Sequence, residues 1–64
     1  MEFHEKLQQL RRQNNMTQEQ LALAVGVSRT TVTMWEAGES MPTSNKLPKL
    51  AQVLGCTIDE LFRA

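Results

Sequence analysis

Apolar residues recur along this chain at helical intervals, in blocks separated by glycines and polar pairs. From Glu2 to Gln13 they fall at Phe3, Leu7 and Leu10, the i, i+4, i+7 spacing that gives a helix one apolar stripe. Asn14-Asn15 ends that block. Thr17 to Gln20 reads as a capping box, and Met16 stands where it can staple to Leu21. The second helix carries Leu21, Ala22 and Val25 and stops at Gly26, a residue suited to a left-handed helix end. The grammar repeats at Val27-Ser28, an apolar residue and a cap ahead of a third helix that Gly38 stops. Beyond "ESMPT", Ser44 or Asn45 is expected to cap a fourth helix with Leu47, Leu50, Ala51 and Leu54. Pro48 falls in its first turn, where a missing N–H costs little. After Gly55, Cys56 to Leu61 gives another staple and capping box, opening a short fifth helix through Phe62. The pattern predicts an all-α fold of five helices joined by tight turns.

One block resists. Thr30-Thr31-Val32-Thr33 is the most β-branched run in the chain, and such side chains favour strands. A lone strand would leave its backbone donors and acceptors unpaired, because no second strand candidate exists. At about 100° per residue, Val32 and Trp35 share one face with Thr31 beside them, while Arg29, Thr30, Thr33, Met34, Glu36 and Ala37 cover the rest. The segment therefore reads as a helix held by packing against its local preference.

Sixty-four residues, 41% hydrophobic and 22% charged, suit one small domain, residues 1–64. One cysteine excludes an internal disulfide and a cysteine-rich metal site. No apolar run approaches the roughly 18 residues of a membrane span, and no charged-then-apolar leader begins the chain. A soluble, cytoplasmic protein is the expectation, with no membrane partner. Seven basic and seven acidic side chains cancel, which counts mildly against nucleic acid. Yet Arg12, Arg29, Lys46 and Lys49 lie between acidic ends at Glu2, Glu5, Asp59 and Glu60, so a basic face is permitted.

Two helices joined by "LAVGVS" must cross steeply, and Ala22, Ala24 and Gly26 are small enough for close crossing. The stretch "QEQLALAVGVSRTTVTMWEAG", Gln18 to Gly38, resembles the helix-turn-helix of the Cro and phage-repressor family, the XRE-type regulators. "TQEQLA", "GVS" and "WEAG" match in register, with Leu21, Val25, Val27, Val32 and Trp35 at the family's apolar positions. Leu10-Arg11 and "LPKLAQVLGCTIDEL" resemble its flanking helices, so the likeness covers essentially the whole chain.

The resemblance implies a compact five-helix domain that regulates transcription, as a repressor in the simplest case, with the helix Ser28–Ala37 in the major groove of double-stranded DNA. It places Arg29, Thr30 and Met34 at the main base-reading positions, with Ser28 and Thr33 as second choices. The side chains suit that task. A guanidinium at Arg29 can fork onto guanine O6 and N7, and threonines offer a methyl to thymine or a hydroxyl to a base edge. Gln18 opens the second helix, whose N–H groups suit a phosphate oxygen, and the family often uses this glutamine for a backbone contact. Gly38, Ser40 and Thr43 are candidate phosphate clamps on the opposite side, and Lys46 a looser electrostatic one. Arg11 and Glu36 pair in many members, read here as a structural ion pair that fixes geometry. One recognition helix reads only a few base pairs, so a homodimer on a palindromic operator is expected, formed in solution or only on DNA. The C-terminal residues Ile58, Leu61 and Phe62 are its candidate interface.

Each assignment has a plainer alternative. The plainer readings make Arg29 a solvated first-turn residue, Thr30 and Thr33 ordinary surface, Met34 core or partner-facing, and Ile58, Leu61 and Phe62 core closure. Trp35 belongs with Val32 in the core, Cys56 is expected to be a small buried hydrophobe, and His4 an exposed residue without function. No nucleophile, acid/base pair, metal cluster or phosphate-cradling loop is visible, so no enzyme, cofactor or metal is expected. A chain this short leaves no room for an effector domain, so no small-molecule effector is expected either. The rival reading is a protein-binding module or antitoxin on the same scaffold, with DNA binding secondary.

Overall fold

Four helix ends in this protein share one device, and it sets the architecture. In the computed structural model, which describes residues 1–63, α1 spans Phe3–Gln13, α2 Gln18–Val25, α3 Arg29–Ala37, α4 Leu47–Leu54 and α5 Ile58–Leu61. Helices α1 to α4 are each followed by a left-handed residue, Asn15, Gly26, Gly38 or Gly55. The next N–H, of Met16, Val27, Glu39 or Cys56, then donates to a carbonyl five residues back. That bond satisfies an orphan carbonyl and reverses the chain within two residues.

In three of the four cases the residue after the left-handed one is apolar and precedes a hydroxyl cap. Met16-Thr17, Val27-Ser28 and Cys56-Thr57 thus end one helix and start the next, each cap oxygen accepting from the N–H three residues on. Met16, Val27 and Cys56 pack against the core. Four residues beyond each cap stand Leu21, Val32 and Leu61, all at 0% exposure. Each turn therefore inserts one half-buried and one fully buried side chain into a shared centre. Leu7, Ala22, Val25, Trp35, Leu50, Ala51 and Leu54 complete it. Asn14 ties the far ends together, its Nδ2 donating to the carbonyls of Leu10 and Leu54 at 2.8 and 3.1 Å.

The fourth case breaks the rule because Glu39 replaces the apolar residue. No helix restarts there. An irregular segment follows, with Pro42 buried, and leads into a single 3₁₀ turn at Ser44–Lys46. This corrects the expected start of the fourth helix. Neither Ser44 nor Asn45 caps it; the 3₁₀ turn feeds directly into α4, and Asn45 instead accepts from the Thr43 hydroxyl. Pro48 does sit in the first turn of α4.

Three smaller expectations also change. α5 ends at Leu61, with Phe62 as its C-cap stacked on Phe3 at 5.0 Å between ring centres. Cys56 is half-buried rather than buried, and desolvation with the nearby Glu60 carboxylate pushes its thiol above the ordinary range. His4 is not a free surface residue, because its ring lies against Gly38. No helix among the described residues is long and apolar enough to cross a membrane.

Candidate nucleic-acid interface

Val32, Trp35 and Glu36 turn α3 inward, at 0%, 3% and 7% exposure. Arg29, Thr30, Thr33, Met34 and Ala37 are exposed, and their spacing of i, i+1, i+4, i+5, i+8 makes them one stripe on the opposite face. Apart from Arg29 and Met34 the stripe is short-chained, so the helix backbone can come close to a flat or grooved partner. β-branched residues cost this helix some propensity, offset by the Ser28 cap, the Gly38 terminus and the buried Val32 and Trp35.

The start of α2 meets the start of α3 across an open cleft of about 490 Å³, lined by Arg11, Met16, Thr17, Gln18, Glu19 and Arg29. Thus Gln18 and Arg29, assigned to different contacts, face one space. At its base, Arg11 donates from Nε to Glu36 Oε2 at 2.6 Å and from Nη2 to Oε1 at 3.1 Å, and its Nη1 reaches the Met16 carbonyl at 2.7 Å. This buried pair fixes α1, the α1–α2 turn and α3 relative to one another.

The side chain of Gln18 is less free than its position suggests. Its Nε2 donates to Glu36 Oε1 at 3.1 Å and its Oε1 accepts from Thr33 Oγ1 at 3.2 Å. Of the backbone donors at that helix start, the Gln20 N–H is taken by the Thr17 hydroxyl. Ser28 is similarly occupied, its Oγ accepting from the Thr31 N–H at 3.1 Å and sharing a proton with Thr31 Oγ1. Arg29, Thr30 and Met34 have no such commitments among the described residues.

Gly38 stands at the far end of α3, about 13 Å along the helix axis from its first residue, and Ser40, Thr43 and Lys46 follow on the segment that leads to α4. They bracket the exposed stripe from its other end, with Gly38 and Thr43 exposed and Ser40 and Lys46 half-buried. Sequence reading missed the Gln18 bridge and the Glu19 carboxylate in the cleft. The bridge joins residues 15 and 18 positions apart, which no local pattern announces.

A family model described as helix-turn-helix matches residues 7–61. The chain belongs to the helix-turn-helix family. Over 97% of its length it is 51% identical to the HTH-type transcriptional activator BcrR of Enterococcus faecalis, yet it spans only 30% of that protein. The P22 c2 repressor, solved in complex with a synthetic operator, superposes with a TM-score of 0.93 at 28% identity, covering 98% of this chain and 96% of the repressor's. Hydroxypropylphosphonic acid epoxidase from S. wedmorenis contains a similar helix-turn-helix unit, with a TM-score of 0.86 and 37% identity over 95% of this chain, but only 32% of the enzyme. The scaffold thus occurs both as a repressor domain and as part of an enzyme. Among the described residues of this helix-turn-helix chain, no three His, Cys, Asp or Glu side chains converge as a metal cluster would require.

Proposed function

We propose that this domain binds double-stranded DNA sequence-specifically and regulates transcription, laying α3 into the major groove. The observation that carries the reading is the short-chained, uncommitted stripe of α3, set beside the start of α2 in a fold shared with an operator-bound repressor. Arg29 forks onto a guanine edge, Thr30 meets a thymine methyl or a base acceptor, and Met34 adds an apolar contact. Ser28 and Thr33, whose hydroxyls are engaged internally, take secondary places. Backbone N–H groups at Gln18 hold one phosphate, and Gly38, Ser40 and Thr43 hold another beyond the far end of α3, with Lys46 adding attraction. Repression by occupancy of the bound site is the regulatory outcome proposed, on the likeness to the operator-bound P22 c2 repressor.

Two copies on a palindrome, with half-sites about 34–36 Å apart, would extend the few base pairs that one helix reads. Leu61 cannot serve that interface, being fully buried in the core, which leaves Ile58 and Phe62 at 39% and 49% exposure. Sedimentation with and without the selected duplex tests the pairing; a monomer in both removes it.

Selection of duplexes from a randomised pool at low salt tests DNA recognition. A defined motif is expected, with an affinity that falls with salt by a slope of about −0.9 per phosphate neutralised. An unenriched pool ends the DNA reading and leaves the protein-binding use of the scaffold.

A further inference from the structure

Glu36 is buried in an ion pair with Arg11, and its carboxylate oxygens accept from each group that faces them. Arg11 supplies two N–H groups and Gln18 a third, through Nε2. That acceptance settles which way the Gln18 amide points, and it turns Oε1 toward α3, where the Thr33 hydroxyl donates to it. The Thr33 proton is shared with the Arg29 carbonyl at 3.0 Å, the usual back-bond of a helical threonine. The result is a chain of polar contacts, Arg11–Glu36–Gln18–Thr33, that begins in the core and ends on the exposed stripe.

The geometry points to Thr33 as a positioning residue: its hydroxyl, acting through the Gln18 side chain, fixes the start of α2 against α3 for binding to duplex DNA. The inference rests on the DNA reading above. Gln18 is the first residue of α2, so holding its side chain inward orients the backbone N–H groups proposed to meet phosphate. Thr33 also neighbours Arg29 and Thr30 on one helix face, so the same contact sets the offset between the phosphate anchor and the base-reading side chains. Without the hydroxyl, the Gln18 carbonyl end loses its partner on α3 and that offset loosens.

The protein first selects duplexes from a randomised pool, and the most enriched sequence, end-labelled, is titrated with Thr33→Val and Thr33→Ser, each also beside Gln18→Met. Valine keeps the methyl and removes the hydroxyl; serine does the reverse. Thr33 is exposed, so neither change disturbs the core. Thr33→Val is expected to weaken binding about three- to tenfold, equally across the selected duplex and its single-base variants. Thr33→Ser should stay within about twofold of wild type, and Thr33→Val should add less than about twofold beside Gln18→Met. Loss in Thr33→Ser, no loss in Thr33→Val, a loss confined to one base position, or a full loss persisting beside Gln18→Met each overturns the positioning role alone. If the wild-type protein enriches no sequence, the DNA reading falls and this inference falls with it.

Discussion

Arg11 on α1 and Glu36 on α3 meet through two charge-assisted hydrogen bonds, at 2.6 and 3.1 Å, with the residues 8% and 7% exposed. Each group makes one further bond, Arg11 to the Met16 carbonyl and Glu36 from the Gln18 amide. Among the described residues no buried side-chain nitrogen or oxygen lacks a partner. A pair removed from water in this way gains little net stability over an apolar substitute, but it tolerates one arrangement of its helices. Its location beneath the cleft makes that arrangement the one presented to a ligand.

Removing one partner should therefore be far worse than removing both. Arg11→Met leaves the Glu36 carboxylate buried with only the Gln18 amide, at an expected cost of about 3–5 kcal/mol. For a domain of this size that is most of the total stability. Arg11→Met with Glu36→Leu should recover a large part of it. Urea denaturation of Arg11→Met, Glu36→Leu and the double variant decides: a double variant destabilised by the sum of the two singles would mean that the pair is not coupled.

Gly38 ends α3 at φ 78°, and a Cβ there would stand 3.2 Å from Nδ1 of His4 and 3.4 Å from its Cγ. Gly26 has a similar φ of 84° with nothing within 4 Å. Both alanine variants carry the left-handed penalty of about 1–2 kcal/mol, and only Gly38→Ala adds a tight contact that the His4 ring must yield to. Gly38→Ala should thus melt below Gly26→Ala, and His4→Ala should close the gap between them. Equal melting temperatures would show that His4 yields without cost.

The helices could be read from the sequence because their boundaries are local. Thr17, Ser28 and Thr57 cap with their own oxygens, and the left-handed residue two positions before each cap closes the preceding helix. The same rule places an apolar residue four positions after a cap in the core, as at Leu21 and Val32, and Leu61 obeys it. Its burial was legible, and only its apolar character had suggested an interface. The start of α4 was not legible: Thr43, Ser44 and Asn45 are three adjacent cap-competent residues before Pro48, yet none of them caps α4, which continues directly from the 3₁₀ turn at Ser44–Lys46. At the candidate site, spacing alone separates the outward stripe of α3 from Val32 and Trp35. The commitment of Gln18 to Glu36 and Thr33 depends on how α2 crosses α3, which no single segment encodes.

Acid should loosen α5 through Glu60. Its Oε1 accepts from the Thr57 N–H at 3.0 Å, and this bond first, then the Thr57 hydroxyl, with Arg63 and Lys6 assisting, holds the carboxyl below the usual glutamate range. A carboxyl with a lowered folded-state pKa contributes stability above its unfolded pKa and loses it as pH falls through the folded one. Carboxyl NMR should therefore give Glu60 a midpoint below that of an unfolded-peptide glutamate. Glu60→Gln, which keeps the accepting oxygen but cannot titrate, should flatten the acid limb of the stability curve. A midpoint at or above the peptide value would remove the capping box as the cause.

Arg29 and Gln18 face one cleft, but the proposed roles predict different failures. Arg29→Ala should relax sequence preference at one or two base positions, with about 1–3 kcal/mol of discrimination lost there. Arg29→Lys keeps the charge but not the bidentate fork, so it should hold the salt slope while still losing selectivity. Gln18→Ala should weaken binding to every duplex alike, since it releases Glu36 and Thr33 and touches no base. Repeating the selection with each variant, and titrating the winners against salt, separates the two. If Arg29→Ala instead lowers affinity without regard to sequence and reduces the salt slope by about 1, then Arg29 touches phosphate, and base reading passes to Thr30 and Met34.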